Sequence, residues 1–319
     1  MQQRPRYQHL VHDLDSTLVR LNVASGLTSH SALAQQMSMP YPEDPKATQE
    51  SCTTCRTKCV PSSSTVAIQE ARSEQGCSRR ANILRLCTGH QGGQYGIELW
   101  IDLEAPYASD HKGREHCFRD SHFLVVHQDP RRLLVRCDAG HGSFWLFTFH
   151  APHSGYRSIE REAWWAETME ILQHSYDDDP LFILADANAE PGEYDGETVQ
   201  IRGFPTTANT PAFRALLQSY GLYLPATSAA HRGPNGTWSH CNGLSQHCLD
   251  HIAIPLAWQQ RCTHSEVLEA FDMATAHDDH KMAAVQLQWK DRLLDDSAAS
   301  KQQHIKKAVK YHHHPDLHQ

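Results

Sequence analysis

Residues 181–188 read LFILADAN, four apolar residues that run into Ala-Asp-Ala-Asn. Four consecutive apolar residues are too few for a helix and are typical of a strand buried on both faces. Glu-Pro-Gly follows at 190–192 and ends the strand. Asp186 and Asn188 lie two positions apart at the carboxyl end of this strand, so their side chains point the same way. The stretch therefore predicts a carboxylate–amide pair at the rim of a sheet; an isolated Asp-x-Asn, in contrast, usually only makes a turn.

Apolar and β-branched runs on both sides of this stretch predict further strands. We expect them at 18–25, 64–70, 95–101, 123–126, 131–137, 143–150, 236–239, 249–254 and 282–287. The pair 131–137 and 143–150 flanks a short Gly-containing segment, which predicts a β-hairpin.

Two helices are predicted between these strands. Residues 158–175 place Ile159, Ala163, Trp164 (or Ala166) and Ile171 or Leu172 on one side, with Glu160, Arg161 and Glu167 on the other, as in an amphipathic helix. Pro211 near its start and Gly221 after its end delimit the second helix. Many short strands without regular strand–helix alternation predict an α+β fold of stacked antiparallel or mixed sheets flanked by helices. The sequence has no glycine-rich loop of the kind that holds nucleotide phosphates.

Composition limits the possible functions. The chain has 319 residues, 39% of them hydrophobic, and no run of 18 apolar residues, so we expect no membrane span. Its start lacks the apolar core of a secretory signal, which predicts an intracellular protein, the nucleus being one possible compartment. A net charge of −8 disfavours a strongly basic nucleic-acid binder, but it is compatible with a carboxylate site around a metal ion.

Ten cysteines in a long chain without a secretory signal are expected to be reduced thiols. Cys52, Cys55 and Cys59 form their one cluster, and no second Cys-x-x-Cys pair follows at zinc-finger spacing. We therefore do not predict a zinc site.

Polar residues suited to one chemical task end five of the predicted apolar runs. They are Glu70, His150, Asp186 with Asn188, Asp250, and the Asp278–His280 run. Each alone is explained as a surface carboxylate, an ion-pair partner or a turn. Because strand ends gather at the rims of sheets, the five together indicate a common cleft.

Six short motifs resemble the ordered signatures of the endonuclease/exonuclease/phosphatase superfamily. They are VAIQEAR at 66–72, HAPH at 150–153, LADANA at 184–189, GTW at 236–238, LDHIAIP at 249–255 and HDDHKM at 277–282. Within that superfamily the sequence looks most like abasic-site-type endonucleases and the endonuclease domains of non-LTR retrotransposons. The resemblance implies a four-layer α/β/β/α sandwich of two stacked mixed sheets flanked by helices. It covers residues 64–290, which leaves 1–63 as an irregular segment containing a first core strand at 17–25 and a long insert, and 291–319 as a charged, His-rich tail.

The resemblance also implies a set of site residues around a divalent metal, Mg²⁺ or Mn²⁺. Glu70 would be the main metal ligand, with Asp279 beside the metal and Asn22 contributed by the first strand. Asp186 would orient or deprotonate the attacking water, and Asn188 would hold that water or the phosphate. His280 would contact the scissile phosphate and Asp250 would orient its imidazole.

Elementary chemistry is compatible with these roles. Attack on an anionic phosphodiester requires cations where charge builds up, and Mg²⁺ prefers a few hard oxygen ligands. A carboxylate beside an imidazole favours the protonated form, which suits a group that contacts phosphate.

Three positions depart from the usual pattern of the superfamily. His150, still expected to be a catalytic contact, stands where a Tyr is usual, and Asp278 stands where a Ser is usual. The interval from Asn22 to Glu70 is also longer than usual by about twenty residues.

The sequence therefore predicts a divalent-metal-dependent phosphodiester hydrolase, foremost a DNA endonuclease of retroelement type, with nucleic acid as its partner and no protein partner. Two alternatives stay open: a phosphatase or phosphodiesterase acting on another phosphoester, and a catalytically inactive remnant.

Overall fold

The computed structural model describes residues 17–25, 63–109, 115–139, 142–175, 179–201, 203–240, 245–268 and 280–289. Asp278 and Asp279, the three clustered cysteines and the tail after residue 290 lie outside this part of the chain, as does most of the segment 1–63. Among the described residues, none of the helices is long and apolar enough to cross a membrane.

The larger of the two main sheets has eight strands. They are β1 (Thr17–Ser25), β2 (Ser63–Gln69), β3 (Gly76–Arg80), β4 (Ile83–Cys87), β5 (Ile97–Asp102), β13 (His231–Arg232), β17 (Cys262–Leu268) and β18 (Met282–Trp289). Their spatial order is β13-β17-β18-β1-β2-β5-β4-β3. The sheet is mixed, because β1 pairs in parallel with β2 and antiparallel with β18.

The second main sheet has six strands and carries most of the predicted site. They are β8 (Phe123–Asp129), β9 (Arg132–Asp138), β10 (Ser143–His150), β11 (Leu181–Asp186), β12 (Leu222–Tyr223) and β16 (Asp250–Pro255), in the order β12-β16-β11-β10-β9-β8. The predicted hairpin is confirmed, since β9 and β10 pair antiparallel. This sheet is also mixed, because β11 pairs in parallel with β10 and antiparallel with β16.

The remaining elements are short strands and helices. Two hairpins are formed by β6 (Pro106–Ser109) with β7 (Glu115–Cys117) and by β14 (Trp238–Ser239) with β15 (Gln246–His247). The α-helices are α1 (Ser158–Ser175) and α2 (Thr210–Ser219), and 3-10 helices occupy Asp120–His122, Pro225–Thr227 and Leu256–Arg261.

The main hydrophobic core lies between the two sheets. Alternate residues of the central strands face it, among them Ala67 and Leu99 from the larger sheet and Leu146, Leu184 and Ile252 from the smaller one. All are buried, and this alternation is what stacks one sheet on the other.

The opposite face of the six-stranded sheet is covered by the two α-helices. Phe147 and Ile183 on that face pack with Trp165 of α1 and Phe213 of α2. The predicted stacking of two mixed sheets with flanking helices is thus confirmed. In the part of the chain that the structure describes, both α-helices lie on this one sheet, and none covers the outer face of the larger sheet.

The predicted apolar face of α1 is confirmed at Leu172 and wrong at Ile159 and Ala163, although both ends of the helix are as predicted. Trp165, Thr168 and Leu172 are the buried residues, whereas Ile159 is 67% exposed. The sequence contains two adjacent tryptophans, and the side chain that reaches the core sets the orientation of the helix.

Several strands were not predicted. All five residues of β3 are exposed and polar or small, so the sequence there has no apolar alternation. It is a strand because it pairs with β4 at the edge of the sheet.

Candidate active site

Strand register brings three of the predicted site residues side by side. His150 of β10 is paired with Asp186 of β11, and Asp186 is paired with Asp250 of β16. All three side chains lie on the inner face of the six-stranded sheet and are buried. Because directly paired residues on one face are close neighbours, two carboxylates and an imidazole crowd the rim of the sandwich.

Glu70 reaches this rim from the other sheet. Just before it, Gln69 donates through Nε2 to Thr148 Oγ1 at 3.0 Å and to the Leu184 carbonyl at 3.2 Å, which binds the end of β2 to the six-stranded sheet. Glu70 then turns the chain with a φ of +57°. A non-glycine residue in this left-handed region costs about 1–3 kcal/mol and is characteristic of functional sites.

Two carboxylates face one nitrogen of His150. Nε2 is 3.8 Å from Glu70 Oε1 and 3.7 Å from Asp186 Oδ2. Glu70 and Asp186, which are 116 positions apart in the numbering of the chain, therefore flank a single imidazole. The other ring nitrogen, Nδ1, is buried and has no hydrogen-bond partner among the described residues.

His280 completes the cluster on the side of Asp250. Its Nδ1 lies 2.9 Å from Asp250 Oδ2, a carboxylate whose side chain is fully buried. Asp186, Asp250 and His280 each offer a ligand atom, and these atoms lie within 4.8 Å of one another. The structure thus brings together Glu70, His150, Asp186, Asp250 and His280 at one rim of the sandwich.

Asn188 lies next to this cluster with part of its hydrogen-bonding capacity already used. Its backbone N–H donates to Asp186 Oδ1 at 3.0 Å, and its side-chain Nδ2 donates to the Ala151 carbonyl at 2.9 Å. Its φ is +45°, a conformation that Asn tolerates better than most residues.

The electrostatics of the rim perturb two buried groups in opposite directions. Burial raises the pKa of Asp186 to about 7, and the charge of Asp250 acts in the same direction, against His280 and the Asn188 N–H. Burial lowers the pKa of His150 to about 3, and the charge of Arg131 adds to this effect. The imidazole is therefore neutral at pH 7, while Asp186 is poised between its two protonation states.

The donor set fits a hard divalent cation. Three carboxylates meet at the rim, and their mutual repulsion is relieved best by a positive ion with oxygen ligands. Glu70, Asp186, Asp250 and His280 are the described residues that could hold it or its waters. Of the other two predicted metal ligands, Asp279 lies outside the described residues, and Asn22 is described only in its backbone, within β1 next to β2.

Three further residues position the site, and two of them, Thr237 and Asn209, were not singled out from the sequence. Thr237 Oγ1 accepts hydrogen bonds from the backbone N–H groups of Leu249 at 3.0 Å and Asp250 at 2.9 Å, and its carbonyl accepts from the Lys281 N–H at 2.7 Å. Thr237 therefore aligns Asp250 with the chain that carries His280. The GTW motif contained this signal, although not the partners.

Gln69 and Asn209 are the other two. The buried Asn209 donates through Nδ2 to the carbonyls of Pro152 at 2.7 Å and Asn188 at 3.0 Å, so it joins the segments that follow β10 and β11. No sequence pattern identifies such a bridge, because its partners are backbone atoms of distant segments.

Comparison with known proteins places the fold. No family model matches the sequence, and no curated protein matches it. Among solved structures, a 3′ phosphatase from Neisseria bound to a product DNA hairpin is 14% identical with a TM-score of 0.55, covering 85% of this chain and 100% of that one. The endonuclease domain of TRAS1, a telomere-specific non-LTR retrotransposon, is 13% identical with a TM-score of 0.53, covering 85% of this chain and 99% of that one.

An AP endonuclease from Leishmania major gives a similar result, at 11% identity and a TM-score of 0.55, with 86% and 89% of the two chains covered. The fold is that of the endonuclease/exonuclease/phosphatase superfamily. At such low identity the likeness shows the fold alone, and this is the fold that the resemblance of the six motifs implied.

Proposed function

We propose that this protein is a divalent-metal-dependent phosphodiester hydrolase that nicks DNA. The observation that carries the proposal is the meeting of Glu70, Asp186, Asp250 and His280 at one rim, from strand ends separated by more than two hundred residues of sequence. Acidic oxygens and an imidazole at this spacing suit phosphoryl transfer with a bound metal ion. The structural neighbours with this fold are named as nucleases and a phosphatase.

One group of site residues would bind the metal ion, and a second group would act on the attacking water and the phosphate. Glu70 and the neighbouring carboxylates would hold the ion, and Mg²⁺ fits because it prefers oxygen ligands and keeps several waters. When bound, the ion supplies positive charge to the phosphoryl oxygens.

Asp186 is suited to accept a proton from the attacking water, because its pKa is raised to about 7 by burial and by Asp250. A general base works best when its pKa is close to the working pH. Asn188 lies two residues away and would help to orient the same water.

His280 faces the cleft from the opposite side, held through Nδ1 by the buried Asp250. Its Nε2 is then the atom that would donate to a phosphoryl oxygen. His150 would act as a neutral donor through Nε2 in the place where the superfamily usually has a Tyr.

A plasmid assay tests the proposal. Supercoiled DNA is incubated with Mg²⁺, with and without chelator, beside Asp186→Ala and His280→Ala. We expect nicking that the chelator abolishes, and a loss of about 10²–10⁴-fold in rate for each substitution, since each removes a group that acts in the transition state.

Two exposed residues away from the rim provide matched controls. His174→Ala on α1 and Asp120→Asn before β8 change the same residue types and should nick at the parent rate. Nicking that survives both site substitutions would refute the assignment of the site.

The likeness to the TRAS1 endonuclease domain supports a retroelement origin. The likeness to a 3′ phosphatase with bound DNA hairpin supports a second candidate, removal of a terminal phosphate from DNA. The two differ in product, so an end-labelled duplex carrying a 3′ phosphate separates them: the endonuclease shortens the strand, whereas the phosphatase releases inorganic phosphate only.

A further inference from the structure

Five arginines of the sequence are candidates for contacts with substrate phosphates, and the structure separates them. Arg132 is paired with Asp129 and Glu167, both at 2.7 Å, so its charge is already used. Arg79 lies 3.9 Å from Asp120, and Arg72 is exposed. Arg80 is at the end of β3 that is remote from the rim, where it pairs with Ile83 of β4. Arg131 differs from all of these.

Arg131 lies beside the candidate active site, and its guanidinium has no carboxylate partner among the described residues. Its guanidinium carbon stands 3.9 Å from the centre of the Tyr95 ring, and its Nη2 donates to the Tyr156 hydroxyl at 3.0 Å. The backbone N–H of His150 donates to the Arg131 carbonyl at 2.9 Å, and the ring centres of Tyr95 and His150 are 6.0 Å apart. The arginine is therefore attached directly to the rim that carries the carboxylates.

The two phenols make this group a donor-rich site. Tyr95 and Tyr156 share one hydrogen bond between their hydroxyls. Whichever of them donates, the hydrogen of the other hydroxyl has no acceptor among the described residues. The remaining N–H groups of Arg131 are donors too, so the cluster presents donors and a positive charge and lacks a matching acceptor.

The cluster is also rigid. Stacking on a ring and one hydrogen bond hold the guanidinium in place, so less side-chain entropy is lost when it binds a ligand. Tyr95 has a φ of +64°, and the backbone around it is fixed by hydrogen bonds from Arg72 N–H to the Tyr95 carbonyl at 3.0 Å and from Gly96 N–H to the Pro130 carbonyl at 2.9 Å.

A ligand for this cluster must be an anion that only accepts hydrogen bonds, and a phosphodiester is such an anion. We propose that Arg131, Tyr95 and Tyr156 form a binding subsite for a second phosphate of the nucleic-acid strand, next to the phosphate that is hydrolysed. This inference rests on the proposed function. It assigns the carboxylate side of the cleft to the metal and the scissile phosphate, and the donor side to the neighbouring nucleotide.

Binding measurements across a salt series test the subsite. A fluorescent DNA duplex is titrated between 50 and 200 mM KCl (about the range over which phosphate contacts are screened) in an Asp186→Asn background without added Mg²⁺. Arg131→Gln should weaken binding by about tenfold and reduce the slope of log K against log salt by about one, because one charge-assisted phosphate contact is lost.

Three further variants act as controls. Arg131→Lys should keep the slope while losing part of the affinity, since an ammonium group keeps the charge but not the stacked, forked geometry. Tyr95→Phe should weaken binding by about threefold through the lost phenol, less than a charged contact is worth. Arg80 is exposed and lies at the end of β3 that is remote from the rim, so Arg80→Gln should bind DNA like the parent.

A duplex series with single neutral methylphosphonates around the mapped nick site then locates the contact. At one phosphate position, the methylphosphonate should weaken DNA binding by the parent but not DNA binding by Arg131→Gln. Equal losses in both proteins at every position would overturn the subsite, as would an unchanged salt slope in a folded Arg131→Gln, even if its melting temperature falls. A parent that neither binds nor cleaves DNA would instead refute the proposed function, and the subsite with it.

Discussion

Asp186 and Glu98 are both buried carboxylates on β-strands, yet their pKa values are shifted in opposite directions. Burial raises the pKa of Glu98, but hydrogen bonds from Arg85 and Trp100 and the charge of Arg85 outweigh this, so that the net shift is downward. Arg85 Nε and Trp100 Nε1 lie 2.7 and 2.6 Å from Glu98 Oε2. Asp186 is held next to Asp250, and burial raises its pKa to about 7.

The difference lies in where the compensating positive charge comes from. Glu98, on the outer face of the larger sheet, has a cation within the chain, so it stabilises the fold by itself. The carboxylates at the rim of the sandwich outnumber the described cations around them, so under the proposed function a positive ion supplied from outside would complete their stabilisation. Three stability measurements test this difference between Asp186 and Glu98.

Asp186→Asn should stabilise the metal-free protein at pH 8. The pKa of Asp186 is 3.8 in an ordinary environment and about 7 here, so between pH 4 and 7 the folded state holds a proton that the unfolded chain has lost. Stability from this group therefore falls as pH rises through that window, by about 4 kcal/mol in all. The isosteric amide avoids this cost and still accepts from the Asn188 N–H.

Urea denaturation with chelator at pH 4 and pH 8 measures the effect. Asp186→Asn should raise the free energy of unfolding at pH 8 and leave it unchanged at pH 4. The exposed control Asp120→Asn should not show this difference between the two pH values. A destabilised Asp186→Asn at pH 8 would mean that the protein itself already compensates this carboxylate.

Glu98→Gln should destabilise the protein, whereas Asp186→Asn stabilises it. Removing one partner of a buried ion pair leaves the other without compensation, and we expect a loss of about 3 kcal/mol. This is the lower end of the usual range, because the Arg85 side chain is 28% exposed and keeps part of its hydration.

Chemical denaturation of Glu98→Gln beside Glu74→Gln, whose side chain is 94% exposed, gives the comparison. Nicking per folded molecule should be unchanged in both, because the Glu98 side chain lies on the outer face of the larger sheet, whereas the site residues lie between the two sheets. A stable Glu98→Gln would show that the buried pair contributes little.

Mg²⁺ should produce the smallest of the three changes in the free energy of unfolding, and this change should depend on the carboxylates at the rim. At 100 times its dissociation constant it would stabilise the parent by about 3 kcal/mol or less, through binding to the folded state alone. Glu98→Gln should keep this increment and Asp186→Asn should lose most of it. Thermal shifts in a Mg²⁺ titration report both, and an equal increment in the two variants would place the metal elsewhere.

Local patterns were sufficient for several elements of this fold. The buried run ending in Asp186, the hairpin around residues 138–142 and both ends of α1 follow from apolar periodicity and turn residues. β3 and the orientation of α1 did not follow, since edge pairing and the choice between adjacent tryptophans depend on contacts with distant residues.

The site divides in the same way. Chemical identity and position at strand ends were enough to select Glu70, His150, Asp186, Asp250 and His280. Thr237 and Asn209 were not selected, because their hydrogen bonds go to backbone atoms of other segments of the chain.

The sequence alone determined which residue types end the buried strands, because hydrophobic alternation and strand-breaking residues are local properties of the chain. Tertiary structure decided which of those ends meet. The register of β10, β11 and β16 lines up His150, Asp186 and Asp250, and the stacking of the two sheets brings Glu70 to them. Register and stacking are set by the packing of a whole core, and so is the perturbed pKa of Asp186, which depends on neighbours contributed by other strands.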